Sequence, residues 1–211
     1  MRTNKFIRDF ANLISQNYCY FCGQIEEIIC HKCIKELIQE AKIQYLAEVP
    51  VLSMTLNNPT MSKLISSYKD HGEANLMVPF SKIISLGLKY FSKQQHITIV
   101  NVPSTAQALQ KRGLDPITLL AISACKIAGK RFTHDPLLLQ NNKHRNDQAG
   151  LNVAQRNINM KDAFKANYSL TKPVIIIDDL ITTGSSLRAS LDALRQQKIN
   201  VKACVVMVSH H

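Results

Sequence analysis

Long apolar runs are missing from this 211-residue sequence. No stretch reaches the roughly 18 consecutive apolar residues that a membrane-spanning helix requires, so we expect a protein that is not integral to a membrane. The first ten residues also lack the continuous apolar segment of a secretory signal, which favours a cytoplasmic location. Neither internal repeats nor low-complexity segments occur.

Acidic residues are scarce in the larger part of the chain. Residues 1–59 carry six basic and six acidic side chains, whereas residues 60–211 carry twenty and nine, so the whole formal net charge of +11 lies after residue 59. Two explanations remain open. The excess is either a solvated surface that also steers a polyanionic small ligand, or a footprint for the phosphates of a nucleic acid.

The length suits one domain of about 150 residues plus a smaller module. Hydrophobic residues make up 45% of the chain, which is enough for a substantial core. We expect a small helical module over residues 1–50 and the larger domain over residues 51–211.

Four of the six cysteines form two CxxC pairs, Cys19 with Cys22 and Cys30 with Cys33, separated by seven residues. Paired CxxC loops supply the four thiolates that a tetrahedral zinc ion prefers, and Gly23 permits the tight turn after the first pair. Disulfides are the weaker alternative in a cytoplasmic chain. Four thiolates fill the coordination shell, so the predicted zinc is structural.

The other candidate metal ligands have simpler interpretations. His31 sits inside the second knuckle and is interpreted as a surface residue, although it could compete as a ligand. Cys125 and Cys204 lie in apolar helix and strand contexts, which predicts buried, inert thiols.

Hydrophobic periodicity predicts strands that alternate with helices. The predicted helices cover residues 2–17, 34–46, 61–69, 74–91, 114–128 and 185–197, with Thr60 as a cap. The predicted strands cover residues 51–56, 97–102, 131–134, 173–178 and 201–208. Such alternation is typical of an α/β fold, a parallel sheet with helices on both faces. Residues 141–150 are polar and patternless, which predicts a mobile loop.

The most informative segment is residues 174–186, VIIIDDLITTGSS. Its β-branched run predicts a buried parallel strand that ends at Asp178 and Asp179, and a short hydroxyl-rich loop then leads into a helix. Backbone N–H groups at a helix N-terminus form a phosphate cradle, and paired carboxylates can accept hydrogen bonds from vicinal sugar hydroxyls. The segment therefore predicts a ribose 5-phosphate site. The alternative is an ordinary strand–turn–helix, but adjacent acids without a ligand would repel each other.

This segment resembles the phosphoribosyl pyrophosphate (PRPP) motif of type I phosphoribosyltransferases and matches it at every position. The resemblance implies that PRPP binds with Mg²⁺, that Asp178 and Asp179 hold the ribose hydroxyls, and that Pro103 and Ser104 lie beside the pyrophosphate. The same two carboxylates would stabilise an oxocarbenium-like C1. The residues implied for the 5-phosphate are Thr182, Thr183, Gly184, Ser185 and Ser186.

Further segments resemble the ComF competence family. They are Lys111-Arg112-Gly113, the residues 148–151 with the positions that follow them up to Phe164, and, loosely, the YKDHG stretch at residues 68–72. Two positions depart from the family: Asp115 replaces the usual Asn, and Arg145 replaces Thr. The resemblance implies a type I phosphoribosyltransferase-like parallel sheet with an N-terminal helical zinc-finger module. It also implies a role in natural transformation, in handling single-stranded DNA that enters the cytoplasm.

Five basic residues have more than one interpretation. Lys111 and Arg112, or Lys143 and Arg145 on a closing loop, would screen the leaving pyrophosphate, or they are ordinary surface charges. Lys143, Arg145 and Arg156 are also candidates for nucleic-acid contacts, and Arg156 is otherwise a structural helix residue.

Two classes of function therefore stay open. One is a DNA-uptake factor with PRPP, single-stranded DNA and other DNA-uptake proteins as partners, in which PRPP is regulatory or vestigial. The other is an enzyme that joins a base or amine to PRPP and releases pyrophosphate. The sequence names no acceptor for such a transfer.

Overall fold

The computed structural model describes residues 18–25, 27–142 and 162–209, without the side chain of Lys111. The predicted helix over residues 2–17 and most of the predicted loop over residues 141–150 lie outside this part of the chain. Within the described ranges, every helix is too short or too polar to span a bilayer.

The described residues form six helices and eight strands. The helices are α1 (His31–Leu37), α2 (Pro59–Asp70), α3 (Met77–Ser92), α4 (Ala106–Arg112), α5 (Pro116–Ala128) and α6 (Ser185–Gln196). The strands are β1 (Lys42–Leu46), β2 (Val49–Leu56), β3 (Ile97–Asn101), β4 (Phe132–His134), β5 (Leu139–Asn141), β6 (Phe164–Ala166), β7 (Val174–Ile181) and β8 (Val201–Ser209). Short 3₁₀ turns cover Ile38–Glu40 and Ala74–Leu76.

Six strands form the main sheet in the order β1-β2-β8-β7-β3-β4. Strand β1 is antiparallel to β2, and all the other neighbours are parallel. Strands β5 and β6 form a separate antiparallel pair. This confirms the predicted α/β class with a mostly parallel sheet.

The first four residues of strand β7 are all apolar because both faces of the strand are buried. Ile175 and Ile177 belong to a core shared with α2, α3 and α5, whereas Val174 and Ile176 belong to a second core shared with α6, β5 and β6. Both faces of the strand are therefore buried, as is typical of a central parallel strand.

Helix α3 approaches the sheet closely at Gly87. A Cβ atom at this position would lie 2.6 Å from Val205 Cγ1 and 2.7 Å from Met54 Sδ. Because glycine has no side chain, Gly87 allows α3 to pack this close to the sheet.

The predicted helix over residues 34–46 is wrong at its C-terminal half. Helix α1 ends at Leu37, and Lys42–Leu46 is strand β1. Ala47 and Glu48 have φ values of 47° and 67° and join Leu46 to Val49 as a two-residue hairpin, a turn that requires positive φ. The spacing of Tyr45 from Leu37 and Ala41 matches an apolar helical face, but Tyr45 lies in β1 and is 73% exposed.

Smaller corrections concern the ends of three other elements. Strand β7 continues through both acids to Ile181 because its pairing with β8 extends to Ser209. Asn58, and not Thr60, caps α2, since its Oδ1 atom accepts a hydrogen bond from the Met61 N–H at 2.9 Å. Helix α5 begins at Pro116 instead of Leu114.

The cysteine-rich segment packs directly on the larger part of the chain. Ile29, Cys30 and Ile34 belong to the same buried cluster as Leu52 and Phe80. Residue 50 lies in β2, which pairs with β1 in a hairpin. The division of the chain into two domains at residue 50 stays a prediction.

Candidate functional site

A cleft of about 340 Å³ opens between the carboxyl ends of β3 and β7. The chain leaves β7 towards β8 on one side of it, and leaves β3 towards β4 on the other. This is the switch point at which ligands bind in open α/β sheets. The lining includes the predicted positions Pro103, Ser104, Asp178, Asp179, Thr182 and Ser186.

The loop after β7 brings hydroxyl groups to the N-terminus of α6. Gly184 has a φ of +71° and is the N-cap of α6, so the loop turns sharply into the helix. The hydroxyls of Thr183 and Ser185 lie 2.7 Å apart, and the Ser185 N–H points to the Thr183 hydroxyl at 3.4 Å. N–H groups and hydroxyls at a helix N-terminus attract a phosphate.

The two acids have different environments. Asp178 is half-buried, and its Oδ1 atom accepts a hydrogen bond from the Asp179 N–H at 2.9 Å. Burial and the charge of Asp179 raise the pKa of the Asp178 carboxyl well above its ordinary value, although Lys69 opposes the shift. The side chain of Asp179 is only 8% exposed and forms an ion pair with Lys69, with Nζ and Oδ2 2.7 Å apart.

Ser104 is held in place from two sides. Its hydroxyl donates to Asp115 Oδ1 at 3.0 Å, and its carbonyl oxygen accepts from Asn141 Nδ2 at 2.6 Å. Asp115 also caps α5 by accepting from the Ile117 N–H at 3.2 Å, and its Oδ2 atom accepts from the Thr118 hydroxyl at 2.8 Å. Both oxygens of this carboxylate accept hydrogen bonds, which gives Asp115 a structural role at the turn after β3.

The four cysteine sulfurs form one compact cluster. Cys19, Cys22, Cys30 and Cys33 each lie within 4.8 Å of one another, and the Sγ atoms of Cys22 and Cys30 are 3.7 Å apart. Zinc bound to four thiolates at about 2.3 Å places the sulfurs about 3.8 Å apart. The donor set and the spacing therefore fit a structural zinc ion. Gly23, with a φ of +72°, donates its N–H to the Cys19 carbonyl at 2.9 Å and closes the first knuckle.

Thiolate formation is favoured at one ligand in particular. Burial raises the pKa of the Cys19 thiol, but the N–H groups of Cys30, Cys22 and Phe21 outweigh this effect and lower it to about 6. The Cys30 N–H lies 3.4 Å from the Cys19 sulfur. Backbone donors thus favour the form that binds metal.

Comparison with known proteins shows similarity to a curated protein. The sequence is 25% identical over 188 residues to "Competence protein ComFC" of Bacillus subtilis (strain 168), an alignment that covers 87% of this chain and 74% of that protein. No family model matches the sequence. The relative, the mostly parallel sheet and the four-cysteine cluster agree with one another. Together they fit a ComF-type family.

A solved structure gives weaker information. A hypoxanthine phosphoribosyltransferase from Staphylococcus aureus aligns with a TM-score of 0.35 and 14% identity, over 63% of this chain and 61% of that one. The chain therefore spans less than two thirds of that enzyme, and a TM-score this low adds nothing to the fold assignment.

Sequence reasoning missed the contact that Lys69 makes with Asp179. Lys69 lies near the end of α2 and lines the cleft beside the acids. Burial lowers the pKa of its ammonium group, but the charge and hydrogen bond of Asp179 outweigh this effect and raise it. The loose family resemblance of residues 68–72 includes Lys69, but it implies no role for this residue.

The predicted basic residues are only partly placed. Arg112 lines the cleft and forms an ion pair with Asp70, with Nη2 and Oδ1 2.9 Å apart. The side chain of Lys111 lies outside the described part of the structure, and so do Lys143, Arg145 and Arg156. Their roles stay predictions.

The two remaining cysteines lie in the core, as expected. Cys125 lies in α5 and Cys204 in β8, and both are buried. Burial raises the pKa of each thiol to about 12, which keeps both protonated and unreactive near neutral pH.

Proposed function

We propose that this ComF-type chain binds PRPP with Mg²⁺ in the cleft between β3 and β7, and that it helps to handle incoming single-stranded DNA in the cytoplasm during natural transformation. The first part is supported by one observation: Asp178 and Asp179 line the same switch-point cleft as two residues of the following loop, Thr182 and Ser186. The similarity to ComFC, a protein named for competence, supports the second part.

The cleft offers a place for each part of PRPP. The 5-phosphate lies on residues 182–186, where the N-terminus of α6 and the hydroxyls of Thr183 and Ser185 converge. The ribose hydroxyls lie on Asp178 and Asp179, and the pyrophosphate lies by Ser104 with Arg112 as a cationic neighbour. Carboxylates are the ligands that Mg²⁺ prefers.

The same carboxylates have a catalytic role if phosphoribosyl transfer takes place. When the bond from C1 to the pyrophosphate oxygen breaks, positive charge develops at C1 and the pyrophosphate leaves with the electron pair. Asp178 and Asp179 stabilise that charge electrostatically. The chemical identity of the acceptor that would then bond to C1 stays open.

The basic excess supports a DNA partner. All of the net charge of +11 lies in residues 60–211, and phosphate contacts supply most of the affinity for DNA that is independent of sequence. Lys143, Arg145 and Arg156 are our candidate contacts. Other DNA-uptake proteins are expected partners of a protein with this role.

Calorimetry with PRPP and Mg²⁺ tests the small-ligand part. Asp178→Ala with Asp179→Ala should weaken binding by at least about 1.5–3 kcal/mol, because charge-assisted hydrogen bonds to the ribose are lost. Asp192→Ala is the matched control, since Asp192 is an exposed acid on α6. Equal PRPP affinity in the wild type and the double variant would reject the site.

Fluorescence anisotropy with labelled single-stranded DNA tests the second part. Affinity should fall steeply as salt rises, because each neutralised phosphate releases counterions. Lys143→Glu with Arg145→Glu should weaken DNA binding more than Lys32→Glu with Lys35→Glu, two exposed positions on α1.

The alternative function is a small-molecule phosphoribosyltransferase. Absence of DNA binding at low salt, or binding that does not depend on salt, would favour it. Pyrophosphate release from PRPP should then be measured with and without single-stranded DNA and with candidate bases and amines.

A further inference from the structure

The ion pair between Lys69 and Asp179 stands between two cavities. One is the cleft between β3 and β7, and the other, of about 310 Å³, lies on the side of α2 and the end of β2. Lys69, Asp179 and Leu180 line both. The ion pair is therefore part of a wall that the two cavities share.

The backbone of Lys69 is anchored by its neighbours on either side. The hydroxyl of Tyr68 donates to the carbonyl of Pro116 at 2.7 Å, and Asp70 is paired with Arg112 at 2.9 Å. These contacts fix the end of α2 against α5 and α4. A change at the ion pair must therefore come from the flexible side chain of Lys69 and not from a shift of its helix.

The carboxylate of Asp179 needs a positive or hydrogen-donating partner at all times. Its side chain is only 8% exposed, and a buried charge without a partner is strongly unfavourable. In the ligand-free protein that partner is the ammonium group of Lys69. A ribose hydroxyl or a divalent cation that engages the same Oδ2 atom competes with Lys69 for it.

The second cavity can receive the displaced ammonium. Its lining includes Asp70 and the hydroxyl residues Ser62 and Ser66, on the same face of α2 as Lys69. Lys69 is 35% exposed and reaches both cavities, so rotation of its side chain is sufficient for the exchange. Asp70 is itself paired with Arg112 and accepts a hydrogen bond from the Ser66 hydroxyl, so hydroxyl groups and solvent, and not a second ion pair, receive the ammonium after it leaves Asp179.

We propose that Lys69 is a displaceable internal counter-ion, which neutralises Asp179 in the free protein and moves towards the second cavity when a ligand takes its place. The displacement removes the Lys69 side chain from the shared wall. The second cavity therefore opens to the ligand-binding cleft only after the ligand has bound. This inference rests on the proposed PRPP site and describes its regulation. Binding of a ligand at Asp179 Oδ2 therefore requires the release of one side chain, that of Lys69.

Amine footprinting of the full-length protein tests the displacement. The rate of acylation at Lys69 is measured by mass spectrometry without ligand and with saturating PRPP and Mg²⁺. Release from a 2.7 Å ion pair should raise that rate by about threefold or more, because the free ammonium deprotonates more readily than one held beside a carboxylate. Asp179→Asn should raise it without any ligand.

Lys82 is the matched internal control. It forms an ion pair with Glu27 at 2.8 Å, and its side chain is 39% exposed, close to the values for Lys69. Its labelling should not respond to PRPP. If calorimetry shows binding but labelling of Lys69 is unchanged or slower, the displacement is overturned and the PRPP site survives. If PRPP does not bind, the proposed function and this inference both fail.

A second experiment uses Mg²⁺ alone as the probe. Lys69→Met should bind Mg²⁺ about threefold to tenfold more tightly than the wild type, because a competing cation has been removed from the two carboxylates. Lys69→Arg keeps the charge and should stay within about twofold of the wild type. Equal Mg²⁺ affinity in Lys69→Met and the wild type, with unchanged circular dichroism, would contradict the counter-ion role.

Discussion

Asp115 accepts a hydrogen bond from the hydroxyl of Ser104 at 3.0 Å and also caps helix α5. One carboxylate thus ties the turn after β3 to the first turn of the next long helix. Because Ser104 lines the cleft, the capping interaction also positions a residue of the candidate site. The ComF family usually has Asn at this position, and an amide oxygen can serve the same two donors.

We therefore expect Asp115→Ala and Asp115→Asn to differ. Asp115→Ala removes the cap and should lower the free energy of unfolding by about 1 kcal/mol. Asp115→Asn should cost less than Asp115→Ala, since Asn caps helices as well as Asp does and only the hydrogen bond from the Thr118 hydroxyl to Oδ2 is lost. Urea denaturation measures both, and equal destabilisation by the two substitutions would contradict this account of the position.

Gly184 should be sensitive to the addition of a single methyl group. Its φ is +71°, and a Cβ atom would lie 3.4 Å from Leu46 Cδ1. Gly184→Ala should cost about 1–2 kcal/mol of stability, because an L-residue is strained in this conformation, and it should also weaken PRPP binding by distorting the loop.

Gly129→Ala is the control for that substitution. Gly129 has a φ of +111° with nothing within 4 Å of its Cβ position, and it lies between α5 and β4, outside the lining of the cleft. The Gly129→Ala variant should be less stable than the wild type but should keep the PRPP affinity of the wild type. Parallel losses of PRPP affinity in the two variants would argue against a specific role for the loop.

Asp178 should make stability depend on pH. Its pKa is raised in the folded protein, so the folded state holds this proton more tightly than the unfolded chain, whose value is about 3.9. Stability from this group is therefore greatest at low pH and falls as pH rises from the unfolded value through the folded pKa. The stabilising contribution of this group is therefore lost progressively as pH rises above the unfolded value of about 3.9.

Asp178→Asn removes that dependence. We expect its melting temperature to exceed that of the wild type by about 2–4 °C at pH 7.5, which corresponds to about 1 kcal/mol for a chain of this size. The difference should shrink at pH 5.0. Scanning calorimetry at both values is the measurement, with Asp192→Asn as an exposed control. An equal difference at both pH values would contradict the assignment, even if the variant is more stable.

Zinc content tests the cysteine cluster. The wild type should bind one zinc ion per chain, and Cys22→Ser should lose it, because a hydroxyl cannot replace the fourth thiolate. Cys125→Ala should keep the metal, since Cys125 lies in α5 outside the cluster. Elemental analysis of the purified, reduced protein decides the outcome. Absence of zinc from the wild type would reject a structural metal.

Local sequence patterns predicted the parts of the site that are close in sequence. The acids and the hydroxyl-rich loop follow one another within residues 174–186, and the cysteines lie within residues 19–33. Because the residues of each group are close in sequence, their spacing largely determines how they are arranged in space. The contact of Lys69 with Asp179 spans 110 residues of sequence and depends on how α2 packs beside β7. No local period encodes such a contact.

The error at β1 has a different origin. Leu37, Ile38, Ala41 and Tyr45 match a helical spacing, but Tyr45 is exposed in the strand. Pairing with β2 and the turn at Ala47 and Glu48 decided the structure there, and tertiary context of this kind overrides a short periodic signal.

The most direct test of the central claim is a crystal structure of the protein with PRPP and Mg²⁺. We predict the 5-phosphate on residues 182–186, the ribose at Asp178 and Asp179, and the pyrophosphate beside Ser104. Ligand density at another site, with the cleft between β3 and β7 empty, would contradict the assignment of this cleft to PRPP.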